Sequence, residues 1–487
     1  MADEQNHGGG QHGVLRRQPG ARAALLTLTA VNLLNMADRY VASSVKESIK
    51  RDLQLTDAET ALPMTGMVVV YMVCAMAFGI IADRHILNRT TIVAAAVVLW
   101  SMASALASLS HNIWQLVFFR SLVGVGEAAF GTIAGPMISD LYPPWQRTMA
   151  FAIYTVAGPI GGALGYGVGA ILASSFGWRA AFLMVGLPGV AAGLAVLSIQ
   201  DPSSGRSARG RLLGDGEDRP METRGVLRDF GRIAANPHFA VATLGLVAVN
   251  FAIGGLADWV ASFLQRYDGA SLSSAGLMAG AVTAIAGVGG GIVGAKVSSA
   301  LERRTHNAAF LTAGLFSVPA ALMGMLTVNF VGSQSVAYAS LLAMQVCLWT
   351  HLSPLQNLSL RVIPLEMRAR SAGLQILLTH VLGDVISPPI IGEISDRSGS
   401  LQTGMQVTWV MMFVAGGLWL WGYACLPPLP GSSCSSDADA TAGAGHFPAT
   451  VWSLLHDREF DLSDAETSCG SDPSSAPSSG DDHYREL

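Results

Sequence analysis

The chain has 487 residues, of which 51% are hydrophobic and 13% charged, with a mean hydropathy of +0.43. That balance excludes an ordinary soluble globular protein, in which about a quarter of the residues are charged. The net charge of −5 says little about partners, because the segment 431–487 concentrates acids against Arg458 and Arg485 alone.

The first 20 residues read as a cytoplasmic tail, and no small-residue cleavage site follows a short apolar core, so the first apolar run is expected to stay in the mature protein. A membrane span needs about 20 apolar residues. Such runs centre near residues 33, 73, 100, 127, 160 and 188, then near 251, 284, 316, 347, 380 and 414. The expectation is an all-α polytopic membrane protein of twelve transmembrane helices. Six lie in 21–199 and six in 238–430, joined by a polar cytoplasmic linker at 200–237 that is rich in Arg, Gly and Asp. The tail 431–487 has the Ser, Gly, Ala and Asp-rich composition of a disordered segment.

Arginine placement sets the orientation. Arg16, Arg17 and Arg22 precede span 1, Arg84 and Arg89 follow span 2, and Arg147 follows span 4. Seven more occupy the linker, and Arg303, Arg304, Arg368 and Arg370 follow spans 8 and 10, so the positive-inside rule places both termini in the cytoplasm.

The charges inside the apolar runs are the strongest functional signal. Span 1 carries Asp38 and Arg39, and span 4 carries Arg120 and Glu127. An uncompensated charge at mid-bilayer costs at least about 2.5 to 3.5 kcal/mol, so these four residues must pair or face water. A transport pathway and a static pair that locks two helices both satisfy that condition. Arg120 and Glu127, seven residues apart, share a helix face about 10 Å apart, so each can serve a different partner. Asp38 and Arg39 diverge by about 100°, so at most one points straight at a central cavity. Asp38 and Glu127 are candidate acids for proton exchange as a cavity opens and closes, since burial raises and a nearby arginine lowers a carboxyl's affinity for its proton. His380 and Asp384 lie one turn apart in span 11, close enough to hydrogen-bond or relay a proton. His351 and Asp258 are weaker candidates of the same kind.

The loop after span 2 contains Gly79, Asp83, Arg84 and Arg89 in the spacing G-x-x-x-D-R-x-x-x-x-R, which resembles, with one extra residue, the G-x-x-x-D-R-x-x-x-R signature of the major facilitator superfamily. That resemblance implies two six-helix bundles. Asp83 is expected to cap a neighbouring helix and the arginines to pair with Asp140, a cytoplasmic gate to which Arg147 is added; ordinary positive-inside topology is the alternative. Gly158, Pro159 and Gly162 in span 5 and Pro388 in span 11 suit either hinge bending or static close packing. Pro143 and Arg147 recur as Pro364 and Arg368 at an offset of 221, and Ala37-Asp38 matches Ala257-Asp258, which suggests duplicated halves around a midplane site.

Beyond the superfamily, Arg120-Ser121-Leu122-Val123-Gly124-Val125-Gly126-Glu127-Ala128 resembles the R-x-L-V-G-V-G-E-A signature of Spinster-type lipid transporters. Asn35-Met36-Ala37-Asp38-Arg39-Tyr40 is similar to that family's N-Y-M-D-R-[FY], and Gln375 to Asp384 to its Q-I-x-L-S-H-L-L-G-D. The resemblance runs from about Asn32 to Gly422. It implies proton-linked alternating access for a lysophospholipid or sphingoid lipid such as sphingosine phosphate, in an endosomal, lysosomal or plasma membrane, with Asp38 and Glu127 as the proton-coupling acids and Arg39 and Arg120 as their charge partners or headgroup contacts. Asp258 and the stretch Trp349 to Pro354 depart from the family pattern.

The expected partners are a lipid substrate, protons and the bilayer, with no nucleic acid, no cofactor and no metal, and the chain is expected to act as a monomer. A proton-coupled carrier of a small organic anion or drug is the alternative, and a non-transporting sensor a third reading. No nucleophile with a base, metal cluster or phosphate-cradling loop points to an enzyme. In the tail, Tyr484-Arg485-Glu486-Leu487 fits a Tyr-x-x-apolar sorting pattern, and Val451 to Leu455 form an apolar island.

Overall fold

The computed structural model describes residues 20–83, 88–199, 223–364 and 367–428. The N-terminal half comprises α1 (Ala21–Ser44), the short α2 (Lys46–Leu53), α3 (Asp57–Asp83), α4 (Arg89–Ala107), α5 (Ile113–Leu141), α6 (Pro144–Phe176) and α7 (Trp178–Val196). After α8 (Thr223–Ala234) the C-terminal half comprises α9 (Pro237–Tyr267), α10 (Leu272–Glu302), α11 (Ala308–Asn329), α12 (Gln334–Trp349), α13 (Leu352–Arg361), α14 (Arg368–Thr379), a π-helical turn (His380–Asp384), α15 (Ser387–Ser398) and α16 (Leu401–Cys425). Each of the twelve expected span centres falls within one of these helices or the π turn. Among the described residues eleven helices are long and apolar enough to cross a membrane. The twelfth, α1, has its apolar run diluted by Asn32, Asn35, Asp38 and Arg39. The expected linker is not wholly irregular, since α8 lies inside it: Ile233 is buried against Phe239 and Ile363, and Arg370 pairs with Asp229.

Local chemistry sets the helix ends. Asn88, Asn112, Asn236 and Ser271 each accept a hydrogen bond from the backbone N–H two or three residues on, the usual N-cap device. Two spans are broken where proline removes a backbone donor. Pro354 has no N–H for the Thr350 carbonyl, and the chain between α12 and α13 breaks at Thr350 and His351. Pro389 likewise frees the Val385 carbonyl, which accepts the Thr65 hydroxyl of the other half at 3.3 Å, and the Pro388 carbonyl accepts Trp259 Nε1 at 3.0 Å. At this second break the freed carbonyls are therefore taken up by donors from neighbouring helices.

The duplicated-half reading has a direct structural counterpart. Arg147 Nε donates to the Tyr142 carbonyl at 3.1 Å, and 221 residues on Arg368 Nε donates to the Ile363 carbonyl at 3.3 Å. Arg147 thus closes its own loop instead of reaching Asp140, which pairs with Arg89 at 2.9 Å. Arg84 lies outside the described residues, as do the side chains of Gly79 and Asp83 and the tail segments 451–455 and 484–487.

Without water to expel, helices in a bilayer associate by close packing, and glycine sets how close they come. A Cβ on Gly124 would strike the Met67 carbonyl, and one on Gly126 would stand 2.5 Å from the Ala96 carbonyl. The Val-Gly-Val-Gly run therefore seats α5 against α3 on one side and α4 on the other. In α6 the contact with α1 is made by Gly161, Gly165 and Gly169, with Gly162 against the Tyr40 ring. Gly158, expected among the packing residues, faces open space because it lies off that face, while Pro159 meets Gly287 of α10.

The halves meet along α3 with α15 and α6 with α10. Between described residues, the cross-half hydrogen bonds and ion pairs run from mid-depth to the end where α1 turns into α2, away from the Arg-bearing loops. Here Arg266 binds Glu47 at 2.7 Å and Asp57 at 2.6 Å, Lys50 binds Asp57 at 2.5 Å, and the Asp396 carboxylate accepts the N–H groups of Asp57 and Ala58 at 2.8 Å. This end is sealed.

Gly124→Ala is expected to destabilise the protein by about 1 to 3 kcal/mol, the usual cost of overpacking. Gly158→Ala should be neutral or stabilising by up to about 1 kcal/mol, since alanine suits a helix interior and meets nothing there. Thermal unfolding in detergent distinguishes them; equal effects would mean that the α3–α5 approach does not limit packing.

Candidate functional site

The adjacent charges of α1 separate as their 100° divergence requires. Asp38, 2% exposed, turns into the N-terminal half, where its Oδ2 accepts Arg120 Nη1 at 2.9 Å and its other oxygen accepts the Ser104 hydroxyl. Arg39, whose side chain is 21% exposed, donates from Nη2 to Glu127 Oε2 at 2.6 Å. The two α5 charges thus serve two different α1 partners, one pair sealed within the bundle and the other at its edge.

Arg120 is fully buried. Its Nη2 lies 3.0 Å from Met67 Sδ, and its guanidinium sits 5.9 Å from the Phe182 ring centroid. Soft, polarisable and aromatic neighbours replace water around the cation. The Arg39 guanidinium lies 5.6 Å from the Tyr71 ring centroid. Not every polar atom is satisfied: Glu127 Oε1, Arg39 Nε and Arg120 Nε have no hydrogen-bond partner among the described residues. A buried carboxylate oxygen left without a partner carries a desolvation cost.

On the facing half, His380 Nδ1 lies 2.8 Å from Asp384 Oδ2, both side chains partly exposed. They flank a π turn, a helical irregularity frequent at functional sites. Gly254 makes room for this turn, since a Cβ there would stand 2.5 Å from Asp384 Cα. Ile376 and Leu377, one turn earlier on the His380 side of α14, are exposed.

The weaker candidates diverge. His351 is a packing residue, stacked on Trp419 with ring centroids 5.6 Å apart and its Nδ1 2.5 Å from the Leu348 carbonyl. Asp258 pairs with Lys46 across the two halves at the sealed end. The sequence reading missed Ser104, Met67 and Tyr71 as partners of the intramembrane charges, and missed Lys46 and Arg266 as cross-half cations. Ser104 gave a faint signal as a polar residue in an apolar span; the others gave none.

This framework has known counterparts. The model of the Major Facilitator Superfamily matches residues 28–388. Spinster homolog 1 of Homo sapiens is 32% identical over 399 residues, covering 78% of this chain and 74% of that protein. Protein spinster of Drosophila melanogaster is 32% identical over 383 residues, covering 76% of this chain and 61% of that protein. Among solved structures, a bacterial homolog of the human lysosomal transporter Spinster, inward-facing and unoccupied, superposes with a TM-score of 0.69 at 22% identity, covering 84% of this chain and 98% of that one. A D-xylose–proton symporter superposes with a TM-score of 0.64 at 14% identity, covering 85% and 99%, a likeness of fold alone. The chain belongs to the Spinster family of the major facilitator superfamily and is a multi-pass membrane transporter of that type.

Proposed function

We propose that the protein carries a lysophospholipid or a sphingoid lipid of the sphingosine phosphate class across its membrane by proton-linked alternating access. The observation that carries this reading is Glu127, a buried carboxyl with one oxygen on the partly exposed Arg39 and the other without a partner. When Glu127 takes a proton, Arg39 loses its counter-ion, and its planar fork becomes available to a phosphate. When the headgroup leaves, Glu127 gives up the proton and pairs with Arg39 again. Asp38 is the second acid of the cycle, held by Arg120 and Ser104.

The headgroup sits between Arg39 and the His380–Asp384 pair, with the acyl chain along the wall that includes Ile376 and Leu377. An amphipathic cargo is favoured because the polar pair on the π turn continues the side of α14 that carries Ile376 and Leu377. The sealed end faces away from the cytoplasm, both termini lie in the cytoplasm, and the Arg89–Asp140 pair belongs to the opposite gate. The protein works as a monomer, in an endosomal, lysosomal or plasma membrane.

In proteoliposomes, labelled lysophospholipid and sphingosine phosphate are expected to show flux driven by an imposed pH gradient, and the Asp38→Asn, Glu127→Gln double variant to lose that dependence. Folded wild-type protein with no lipid flux would transfer the proposal to a small organic anion.

The two pairs should also respond differently to truncation. Arg120→Ala strands Asp38 in a dry site and is expected to cost about 3 to 5 kcal/mol of stability. Arg39→Ala leaves Glu127 free to protonate, so the protein should fold and lose flux. Equal losses of thermal stability would show that the Arg39 pair, too, is a helix lock.

A further inference from the structure

The seam at the sealed end holds three cations, Lys46, Lys50 and Arg266, against three carboxylates, Glu47, Asp57 and Asp258, drawn from both halves. The innermost pair differs from the rest. Lys46 of α2 and Asp258 of α9 are 3% and 2% exposed, whereas Lys50 and Arg266 keep partial access to solvent. The Lys46 ammonium lies 3.8 Å over the Trp259 ring centroid, and Asp258 Oδ1 accepts the Ser43 hydroxyl at 3.1 Å. Each buried charge belongs to a different half, so the pair exists only while this end is shut.

A small, largely enclosed cavity of about 20 Å³ lies inward of this pair, bounded by Lys46, Asp258, Thr60, Pro63 and Arg120. That is room for about one water. Arg120, fully buried on its wall, keeps its Nε without a partner. Across this one-water space Arg120, the partner of Asp38, faces the Lys46–Asp258 pair. We infer that Asp258 is a further proton-coupling residue of transport, whose protonation dissolves its pairing with Lys46 and thereby opens the sealed end.

This rests on the proton-linked part of the reading above and not on the identity of the cargo. The groups around Asp258 fix the sign. Lys46 faces it from α2, with Glu47 of α2 and Asp57 of α3 around that same ammonium; Arg120 faces it from α5 across the cavity and Tyr166 from α6, Arg266 stands on its own helix, and Asp384 packs on Gly254 a turn away. Glu47 and Asp57 are already engaged by Arg266, so a proton on Asp258 leaves the Lys46 ammonium buried without its own counter-ion. The shut state is then penalised, while an open state hydrates Lys46. Acid therefore favours opening.

The test is the distance across the sealed end in lipid, read by spin labels at the exposed positions Arg51 on α2 and Arg397 on α15 after replacement of the five native cysteines. In wild type the distribution is expected to be longer at the lower of two pH values than at the higher. Asp258→Asn should show the long distribution at both pH values, and Asp258→Glu should restore the response. Should Asp258→Asn fail to fold, Lys46→Met with Asp258→Asn removes both charges and should give a folded protein whose distance ignores pH. A distance in either neutralised variant that still moves with pH as in wild type, or a wild-type distance that does not move, overturns the inference. Because the readout needs no cargo, absent lipid flux alongside an Asp258-dependent response would remove the lipid and leave this inference standing. Gradient-driven flux that persists undiminished in Asp258→Asn would do the reverse.

Discussion

The Asp38–Arg120 pair is the constraint on which the N-terminal half is built. Both groups are buried, so each is tenable only because the other is present. That mutual need fixes the rotation of α1 against α5, because Asp38 must turn inward to Arg120 and Ser104. Once Asp38 is set, its neighbour has no choice. Arg39 emerges about 100° away, at the bundle edge, where Glu127 meets it. The fully buried ion pair thus positions the more accessible one.

Glycine supplies the clearance that this arrangement needs. Arg120 and Glu127 bracket Gly124 and Gly126, and those two glycines let α5 lie against α3 and α4 at backbone contact. Charges on one face and glycines between them are two aspects of one requirement. Long side chains can meet α1 at short range only if the helix behind them is held close, and only a residue without a Cβ allows that approach.

The sequence made much of this legible. The helices follow from apolar runs of spanning length, and the α1 and α5 charges stand out because the surrounding residues are apolar. The divergence of Asp38 and Arg39 and the shared face of Arg120 and Glu127 follow from helix geometry alone. Which acid meets which base does not, because it depends on the relative height of two helices distant in sequence. The π turn between His380 and Asp384 was hidden for a similar reason: the four-residue spacing suits a regular helix, and the irregularity arises beside two prolines and a close contact at Gly254. Gly158 failed as a packing residue because a glycine-rich run indicates that a face is small without saying which of its members lie on that face. Lys46, just past the end of α1, carries no local signal of its role, because its burial against Asp258 depends on the approach of the other half.

The two buried layers of charge answer different demands of the same cycle. Pairs within one half, such as Asp38 with Arg120, travel with their bundle and keep their partners whichever side is open. A pair shared between halves, such as Lys46 with Asp258, is intact in one state only, so its energy enters the balance between states directly. Protonation of an acid of the first kind changes what the half can bind, whereas protonation of an acid of the second kind changes which state is favoured. A carrier with the proton-linked cycle proposed above uses both responses. The small cavity between Arg120 and Asp258 is where the geometry lets the two responses meet.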